Sequence, residues 1–181
     1  MLTSAGVAFQ PIAPNVDEEA LKVLHSEESA EGLAKILSLQ KAMAVSKSNP
    51  GRYVLGSDQT LEHNGQIISK SSSRSEAADQ LRRFSNTQHL LWSAAVLVLD
   101  EQIVLSSVSS ARVKIRPLTP GTIERYLDVS GSKIFGSVGV YQMEAEGIHL
   151  IESIEGDYWT ILGLPLLQLT DQLRRRGLLA G

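Results

Sequence analysis

Two long β-rich stretches in the second half of the chain constrain its fold more than any other feature. They run from His89 to Leu99 and from Ile103 to Ile115, and only three polar residues, Asp100-Glu101-Gln102, separate them. So short a connection can join antiparallel strands but not parallel ones. The sequence therefore predicts a long antiparallel pair.

Further strands are expected on both sides of this pair. Tyr53 to Leu55 is typical of a buried strand, and Asn64-Gly65 is the strongest short hairpin signal in the chain. A last strand is predicted from Gly147 to Ile154. These segments would add a hairpin and a last strand to the sheet.

Helical patterns alternate with the strands. Apolar residues recur at helical spacing from Ala30 to Ser48, where Asn49-Pro50-Gly51 ends the pattern. Ser73 to Glu76 has the sequence of a capping box, and Thr119-Pro120 combines an N-cap with proline at the first helical position. A terminal helix is expected from Leu164 to Arg176, followed by Gly177 as its C-cap. The order of elements predicts one α/β domain over residues 1–181, with a mixed sheet.

Composition excludes several classes of protein. A net charge of −3 gives no broad basic surface, so a nucleic-acid polymer is not expected as a partner. The chain has no cysteine, which excludes disulfides and thiolate metal sites. Its apolar runs are too short to span a bilayer, and no secretory signal is visible at the N-terminus. A soluble protein without a membrane partner, located in the cytoplasm by default, is the expectation.

Three groups of polar residues could carry chemistry, and each has a plainer interpretation. Asp58, in Gly-Ser-Asp-Gln after a buried strand, could hold a metal or accept a proton, although such an Asp is often a turn residue. Lys70 lies among hydroxyls before a helix and could bind phosphate, or simply be solvated. The acidic run 15–19 could bind a metal, although acidic residues before a helix are also favoured by its dipole. Lys41 lies beside the apolar stripe of its helix, where a lysine usually extends its charged end to solvent.

The remaining signals are weaker. The segment from Gly136 to Gly147 suits a loop that contacts a base or sugar, but a loop without a ligand would look the same. The four histidines lack the spacing of a zinc site. Neither a P-loop motif nor a Rossmann motif is present.

Taken together and in order, these segments resemble the Maf family of septum-formation inhibitor-like nucleoside triphosphate pyrophosphatases. The resemblance extends from about residue 1 to residue 178 and rests on an ordered set of motifs. These are an early acidic element at 15–18, an L-A-x-x-K-A helix at 37–42 with Ser38 in place of Ala, G-[AS]-D at 56–58, Ser69-Lys70 where the family has G-K-P, E-x-Y-L at 124–127, and the closing pattern at 154–158 and 162–166.

The resemblance implies an elongated α/β fold with a central cleft and a metal-dependent hydrolysis. A nucleoside triphosphate would be cleaved to the monophosphate and pyrophosphate with Mg²⁺ or Mn²⁺. Asp58 would be the general base or the carboxylate that organises the metal, and Glu18 would help to hold the metal. Lys41 and Lys70 would neutralise charge that develops on the triphosphate.

The resemblance also indicates the substrate contacts, which are Ser57, Gln59 and Glu144. Gln59 stands where pyrimidine-type members usually have Thr, and Glu144 stands where they usually have Gln. Both differences favour the branch that acts on 7-methyl-GTP, because a carboxylate can accept hydrogen bonds from the N1–H and amino edge of guanine. The glycines at 136 and 139 and two extra residues in their loop depart from that branch. A homodimer is left open.

The largest departure from the family lies at the start of the chain. Family members open with a strand and an S-x-S-x-R-R loop, and residues 1–6 match the end of the helix that follows. Either the start was assigned too late, which is the favoured explanation, or the form is truncated and its activity impaired. Two other functions therefore stay open: a nucleotide-binding regulator of cell division without strong catalysis, and a structural α/β domain without a ligand.

Overall fold

The computed structural model describes residues 1–179, which form a five-stranded sheet with flanking helices. The strands are β1 (Tyr53–His63), β2 (Gln66–Ile68), β3 (Gln88–Leu99), β4 (Gln102–Ile115) and β5 (Ile151–Glu155). The helices are α1 (Glu18–Leu24), α2 (Ala30–Ser46), α3 (Arg74–Phe84), α4 (Pro120–Ser130), α5 (Tyr158–Ile161) and α6 (Leu166–Arg175). Short 3-10 turns cover Thr3–Ala5, Gly131–Gly136 and Glu146–Leu150.

The strand order across the sheet is β2-β1-β3-β4-β5. β1 pairs with β2 in an antiparallel register that places Leu61 opposite Ile68, and β4 pairs with β5 in an antiparallel register that places Val113 opposite Ile154. The predicted pair of long strands is β3 and β4, which are neighbours in the sheet. The α/β class, with a sheet and flanking helices, is thereby confirmed.

Both hairpin turns in this sheet use residues with positive φ. Asn64 and Gly65 link β1 to β2 with φ of +52° and +75°, as the Asn-Gly signal predicts. Asp100 and Glu101 link β3 to β4 with φ of +48° and +60°. Left-handed backbone at both central residues matches the twist of the strands, so a two-residue turn suffices at each place.

The helix ends follow the capping signals of the sequence. The hydroxyl of Ser73 accepts the N–H of Glu76, and the hydroxyl of Thr119 accepts the N–H of Thr122. At the end of α6, Gly177 has φ of +69°, and the N–H of Leu178 reaches back to the carbonyl of Leu173. This is the left-handed C-cap that the sequence predicts.

The predicted last strand was wrong in its first half. Residues expected in a strand from Gly147 instead form the 3-10 turn, and β5 begins at Ile151. A Cβ on Gly147 would lie 2.5 Å from the carbonyl oxygen of Gln142, and the Gly147 N–H donates to that same oxygen. This tight backbone contact holds the chain in a turn, which apolar patterning cannot reveal.

The chain divides into two compact units, each made of several segments. The first unit comprises residues 1–59, 92–109 and 163 onward, and the second comprises residues 60–91 and 110–162. The larger apolar core lies within the second unit and includes Leu81, Phe84, Ile115 and Ile123. Among residues 1–179, no helix is long and apolar enough to cross a membrane.

Candidate active site

The candidate site lies in the first unit, where β1 passes unusually close to α2. A Cβ on Gly56 would lie 2.1 Å from the backbone oxygen of Ser38 and 2.8 Å from the backbone nitrogen of Ala42. No residue larger than glycine fits there without movement of the backbone. The hydroxyl of Ser38 donates to the carbonyls of Ala34 and Ala94, which secures α2 against β3. These contacts explain why the motif needs glycine immediately before Ser57 and Asp58.

The close approach brings a lysine of α2 to a carboxylate of β1. Lys41 Nζ lies 2.5 Å from Asp58 Oδ1 and 2.9 Å from Glu18 Oε1. The side chains of Lys41 and Asp58 are only 16% and 12% exposed, whereas Glu18 is 37% exposed. We call Glu18, Lys41 and Asp58 the charged cluster. It joins residues that are as far as 40 positions apart in the sequence, and it brings together three of the four predicted catalytic residues.

The position of Glu18 is set by the start of α1. Asp17 is the N-cap, and its carboxylate accepts the N–H of Ala20 at 3.0 Å. Glu18 is therefore the first helical residue, where a negative charge is favoured by the helix dipole. The plainer interpretation of the acidic run holds for Asp17, which caps the helix, while Glu18 also contacts Lys41.

Lys41 stays charged in this environment. Burial alone would lower the pKa of its ammonium, but the hydrogen bonds and charges of Asp58 and Glu18 outweigh burial and raise that pKa above its ordinary value. The ammonium is thus a fixed positive charge among oxygen atoms. The interpretation of Lys41 as a lysine that extends freely into solvent was wrong.

The opposite face of β1 carries Ser57 and Gln59, two of the predicted substrate contacts. Successive strand residues point to opposite faces, so Gly56 and Asp58 face α2 while Ser57 and Gln59 do not. The hydroxyl of Ser57 donates to the carbonyl of Gly163 at 2.9 Å, and the amide of Gln59 donates to the hydroxyl of Ser93 at 3.0 Å. The Gly-Ser-Asp-Gln segment therefore divides its polar groups between the two faces of the strand.

The first unit also contains a groove of about 880 Å³ that reaches this segment. Lys41, Gly56 and Ser57 contribute to its lining. Most of the other lining residues are apolar; they include Val45, Val54, Leu97, Leu164, Leu169 and Leu173. The groove thus reaches Lys41 and the two residues that precede Asp58.

The carboxylates of the charged cluster suit a hard divalent cation. Among residues 1–179, no group of three or more His, Asp or Glu side chains forms a ready metal site. However, Mg²⁺ is commonly held by only one or two carboxylates together with phosphate oxygens of the substrate. Glu18 and Asp58 both face the Lys41 ammonium, so their oxygens already surround a positive charge. The donor set thus fits a cation whose coordination is completed by substrate and water.

The two other predicted residues lie in the second unit. Lys70 is exposed, in the connection after β2 and before the Ser73 cap of α3. Glu144 is exposed in a turn that precedes the 3-10 segment Glu146–Leu150. The predicted role of each residue stays a prediction.

Sequence reasoning missed Ser93 and Gly163 as partners of this segment. Ser93 is fully buried in β3, and its hydroxyl accepts a hydrogen bond from the Gln59 amide. The carbonyl of Gly163 accepts a hydrogen bond from the Ser57 hydroxyl. A signal was available for Ser93, because a single hydroxyl followed by six apolar residues is unusual in a buried strand. For Gly163 the only signal was the closing motif itself.

Comparison with known proteins agrees with this geometry. A nucleoside triphosphate pyrophosphatase from Nitrobacter winogradskyi is 42% identical over 180 residues, which cover 99% of this chain and 89% of the relative. One from Caulobacter vibrioides is 41% identical over 181 residues, with 99% and 90% covered. A 7-methyl-GTP pyrophosphatase from Rhizobium meliloti is 43% identical over 179 residues, with 98% and 90% covered.

The match to a protein family covers nearly the whole chain. Residues 1–176 match the family described as Maf-like protein. The matched range contains all seven predicted site residues, and it agrees with the ordered motifs found in the sequence. The chain belongs to the Maf-like protein family.

Proposed function

We propose that this protein is a nucleoside triphosphate pyrophosphatase that uses a divalent cation. The observation that carries the proposal is the charged cluster, in which one ammonium and two carboxylates converge and whose Lys41 also lines the groove. Phosphoryl transfer needs positioned charges more than covalent chemistry, and this cluster supplies both signs. The names of the relatives support the same reaction.

In this reaction a water oxygen attacks the α-phosphorus, the bond from that phosphorus to the bridging oxygen breaks, and pyrophosphate leaves. Asp58 accepts the proton of the attacking water at its carboxylate. Lys41 holds Asp58 in place and offers positive charge to the phosphate oxygens. Glu18 and Asp58 would hold Mg²⁺ or Mn²⁺, which supplies further neutralisation of charge on the triphosphate. Lys70 would contact the same phosphates.

The preferred substrate in this proposal is a guanine-type triphosphate, above all 7-methyl-GTP. Glu144 would accept hydrogen bonds from the two adjacent donors of guanine, and the positive charge of a 7-methylated base would strengthen that pairing. A uracil or thymine would place a carbonyl against the carboxylate. Gln59 and Ser57 complete the substrate contacts. One relative is named for this substrate and others for nucleoside triphosphates in general, so the preference rests on the side-chain chemistry.

A panel of triphosphates tests the proposal. Pyrophosphate release is measured with 7-methyl-GTP, GTP, UTP and dTTP, each with Mg²⁺, with Mn²⁺ and with excess chelator. We expect metal-dependent release that is fastest with 7-methyl-GTP, and a smaller preference in Glu144→Gln. The preference is expected because the wrong base leaves hydrogen-bonding groups unpaired.

Three outcomes would contradict parts of the proposal. Faster release with UTP or dTTP would overturn the guanine preference but leave the reaction intact. Nucleotide-induced thermal stabilisation without pyrophosphate release would favour a nucleotide-binding regulator instead. If nucleotides neither stabilise the protein nor release pyrophosphate, a structural domain without a ligand is favoured. A single 1–181 domain, the central cleft, the homodimer and the cytoplasmic location stay predictions.

A further inference from the structure

The two carboxylates that would hold a divalent cation are already in contact with a positive charge. Lys41 Nζ lies 2.5 Å from Asp58 Oδ1 and 2.9 Å from Glu18 Oε1. These are the carboxylates that the proposed function assigns to Mg²⁺ or Mn²⁺. One ammonium against two carboxylates leaves a single negative charge in the charged cluster. A divalent cation therefore meets carboxylates whose charge is partly neutralised before it arrives.

The ammonium opposes the binding of a second cation at this place. The side chains of Lys41 and Asp58 are only 16% and 12% exposed, so solvent screens their charges less than it screens those of surface ion pairs. Two cations that contact the same carboxylates repel each other, and this Coulomb energy is larger in a partly buried site than in water. A metal bound through the second oxygen of either carboxylate would still be repelled. Metal and ammonium therefore compete for the charged cluster.

The lysine side chain can leave these carboxylates without a change of fold. Its ammonium is a compact charge at the end of a flexible four-carbon stem. Ser38, on the same helix, secures α2 to β3 through its bond to the carbonyl of Ala94, so the backbone of α2 need not move. Lys41 also lines the groove of the first unit. Rotation of the side chain toward the groove would release both carboxylates.

We propose that the Lys41 ammonium occupies the cation position of the charged cluster in the free protein, and that a divalent metal binds by displacing it. The inference rests on the proposed function, in which Glu18 and Asp58 hold the metal. The displaced ammonium then contacts the phosphate oxygens of the substrate, which are the partners that the proposed function gives it. The free protein accordingly binds metal weakly, and the metal binds well only together with a triphosphate.

A supporting role for Lys41 would have the opposite consequence. A residue that orients metal ligands strengthens metal binding, and its removal usually lowers the affinity by about 10–100-fold. Removal of a competing cation instead raises the affinity, because the carboxylates regain their full charge. The direction of the change in metal affinity therefore distinguishes displacement from support.

The affinity for Mn²⁺ alone, without nucleotide, measures this direction. Free Mn²⁺ is followed by electron paramagnetic resonance in wild type, Lys41→Met and Lys41→Arg, and a thermal melt confirms that each protein is folded. We expect Lys41→Met to lower the Kd by at least about tenfold, because methionine has an unbranched side chain without charge. Lys41→Arg keeps the charge and should bind Mn²⁺ as weakly as wild type. Addition of Asp58→Asn to Lys41→Met should remove the gain.

Lys35→Met is the matched control. Lys35 also lies on α2 and also forms an ion pair with a glutamate, Glu31. This substitution removes the same charge from the same helix but leaves the charged cluster intact, so the Kd should stay at the wild-type value. An unchanged or higher Kd in folded Lys41→Met would overturn displacement. An equal fall in Lys35→Met would also overturn it, since net charge would then explain the effect.

A second measurement uses the wild-type protein and depends on no variant. Lysine side chains are labelled with an amine-reactive ester, with and without Mn²⁺ at several times the wild-type Kd, and each label is located by mass spectrometry. Labelling of Lys41 should increase with Mn²⁺, because its ammonium leaves a partly buried ion pair for the groove, while labelling of Lys35 should not change. Equal or lower labelling of Lys41 would overturn the inference.

The inference and the proposed function can fail separately. Pyrophosphate release together with a Kd that does not fall in Lys41→Met would overturn displacement and leave the function standing. A lower Kd in Lys41→Met, in a protein that releases pyrophosphate from no triphosphate, would overturn the function while displacement stands. If both hold, Lys41→Met binds metal more tightly than wild type but releases pyrophosphate more slowly.

Discussion

The two units of the molecule each contain a cluster of titratable side chains, and the clusters differ in the depth of their burial. The charged cluster of the first unit is partly exposed, with Glu18 at 37%. The second unit contains His63, Phe84, His89 and Tyr141, which we call the ring cluster. His89 and Tyr141 are only 2% and 6% exposed. Burial disfavours the charged form in both clusters, and for Lys41 the opposite charges of Asp58 and Glu18 outweigh that burial.

The ring cluster is packed as part of the core. Phe84 stacks on His89 with ring centroids 4.7 Å apart, and His89 Nε2 lies 2.7 Å from the hydroxyl of Tyr141. Burial, together with the nearby His63, lowers the pKa of His89 to about 3, and burial raises the pKa of Tyr141 far above its ordinary value. Both groups are therefore neutral at pH 7, and they contribute packing and one hydrogen bond.

The contrast supports the proposal that the charged cluster, rather than the ring cluster, performs the chemistry. Charges that remain ionised near the surface can meet phosphate and metal, whereas neutral rings inside a core cannot be reached by a ligand. Variants in the charged cluster should therefore change activity more than stability. Variants in the ring cluster should change stability more than activity. Three measurements test this distinction.

The largest effect is expected for Asp58→Asn. The amide cannot accept the proton of water, so kcat should fall by about a hundredfold or more. The thermal midpoint should change little, because Lys41 keeps Glu18 as an ionic partner. Steady-state pyrophosphate release and a thermal melt measure both quantities. Near-normal turnover in folded Asp58→Asn protein would remove the catalytic assignment.

A smaller effect is expected for the lysines. Lys41→Ala should lower kcat/KM by about thirtyfold, because a charged hydrogen bond to phosphate in a partly buried site contributes about 2 kcal/mol. Lys70→Ala should have a smaller effect, since Lys70 is exposed. Titration with triphosphate compares the two variants. Unchanged kinetics in both would restrict the lysines to structural roles.

The smallest effect concerns the ring cluster and pH. The folded pKa of His89 lies below its unfolded value of about 6.5, so the unfolded state binds the proton first as pH falls. The contribution of neutral His89 to the free energy of unfolding is fully present above pH 6.5 and is lost progressively as pH falls toward 3. Between pH 7 and 5.5 this removes about 1 kcal/mol of the free energy of unfolding.

His89→Gln isolates this contribution. Its amide can still bond to Tyr141, but it does not titrate. The free energy of unfolding is measured with urea at pH 7 and at pH 5.5. Between these pH values it should fall by about 1 kcal/mol less in the variant than in wild type. An equal fall in both proteins would show that His89 does not cause the loss of stability at low pH. A hundredfold loss of kcat in this variant would break the distinction between the clusters.

Features that depend on neighbours a few residues apart could be predicted from the sequence. The Asn64-Gly65 turn, the Ser73 and Thr119 caps and the Gly177 C-cap were all predicted, because each uses contacts within about five residues. The α/β class followed from the periodicity of the elements. The Gly-Ser-Asp-Gln motif indicated chemistry, although composition and spacing left a plain turn as an alternative.

Which of these residues lie in contact could be learned only from the folded structure. Lys41 joins Glu18 and Asp58 because Gly56 lets β1 approach the backbone of α2, a contact between distant segments. The pairing of Gln59 with Ser93 likewise depends on two strands that lie side by side. Such contacts form where packing brings remote parts of the chain together, and local sequence patterns do not show which remote segments will pack against each other.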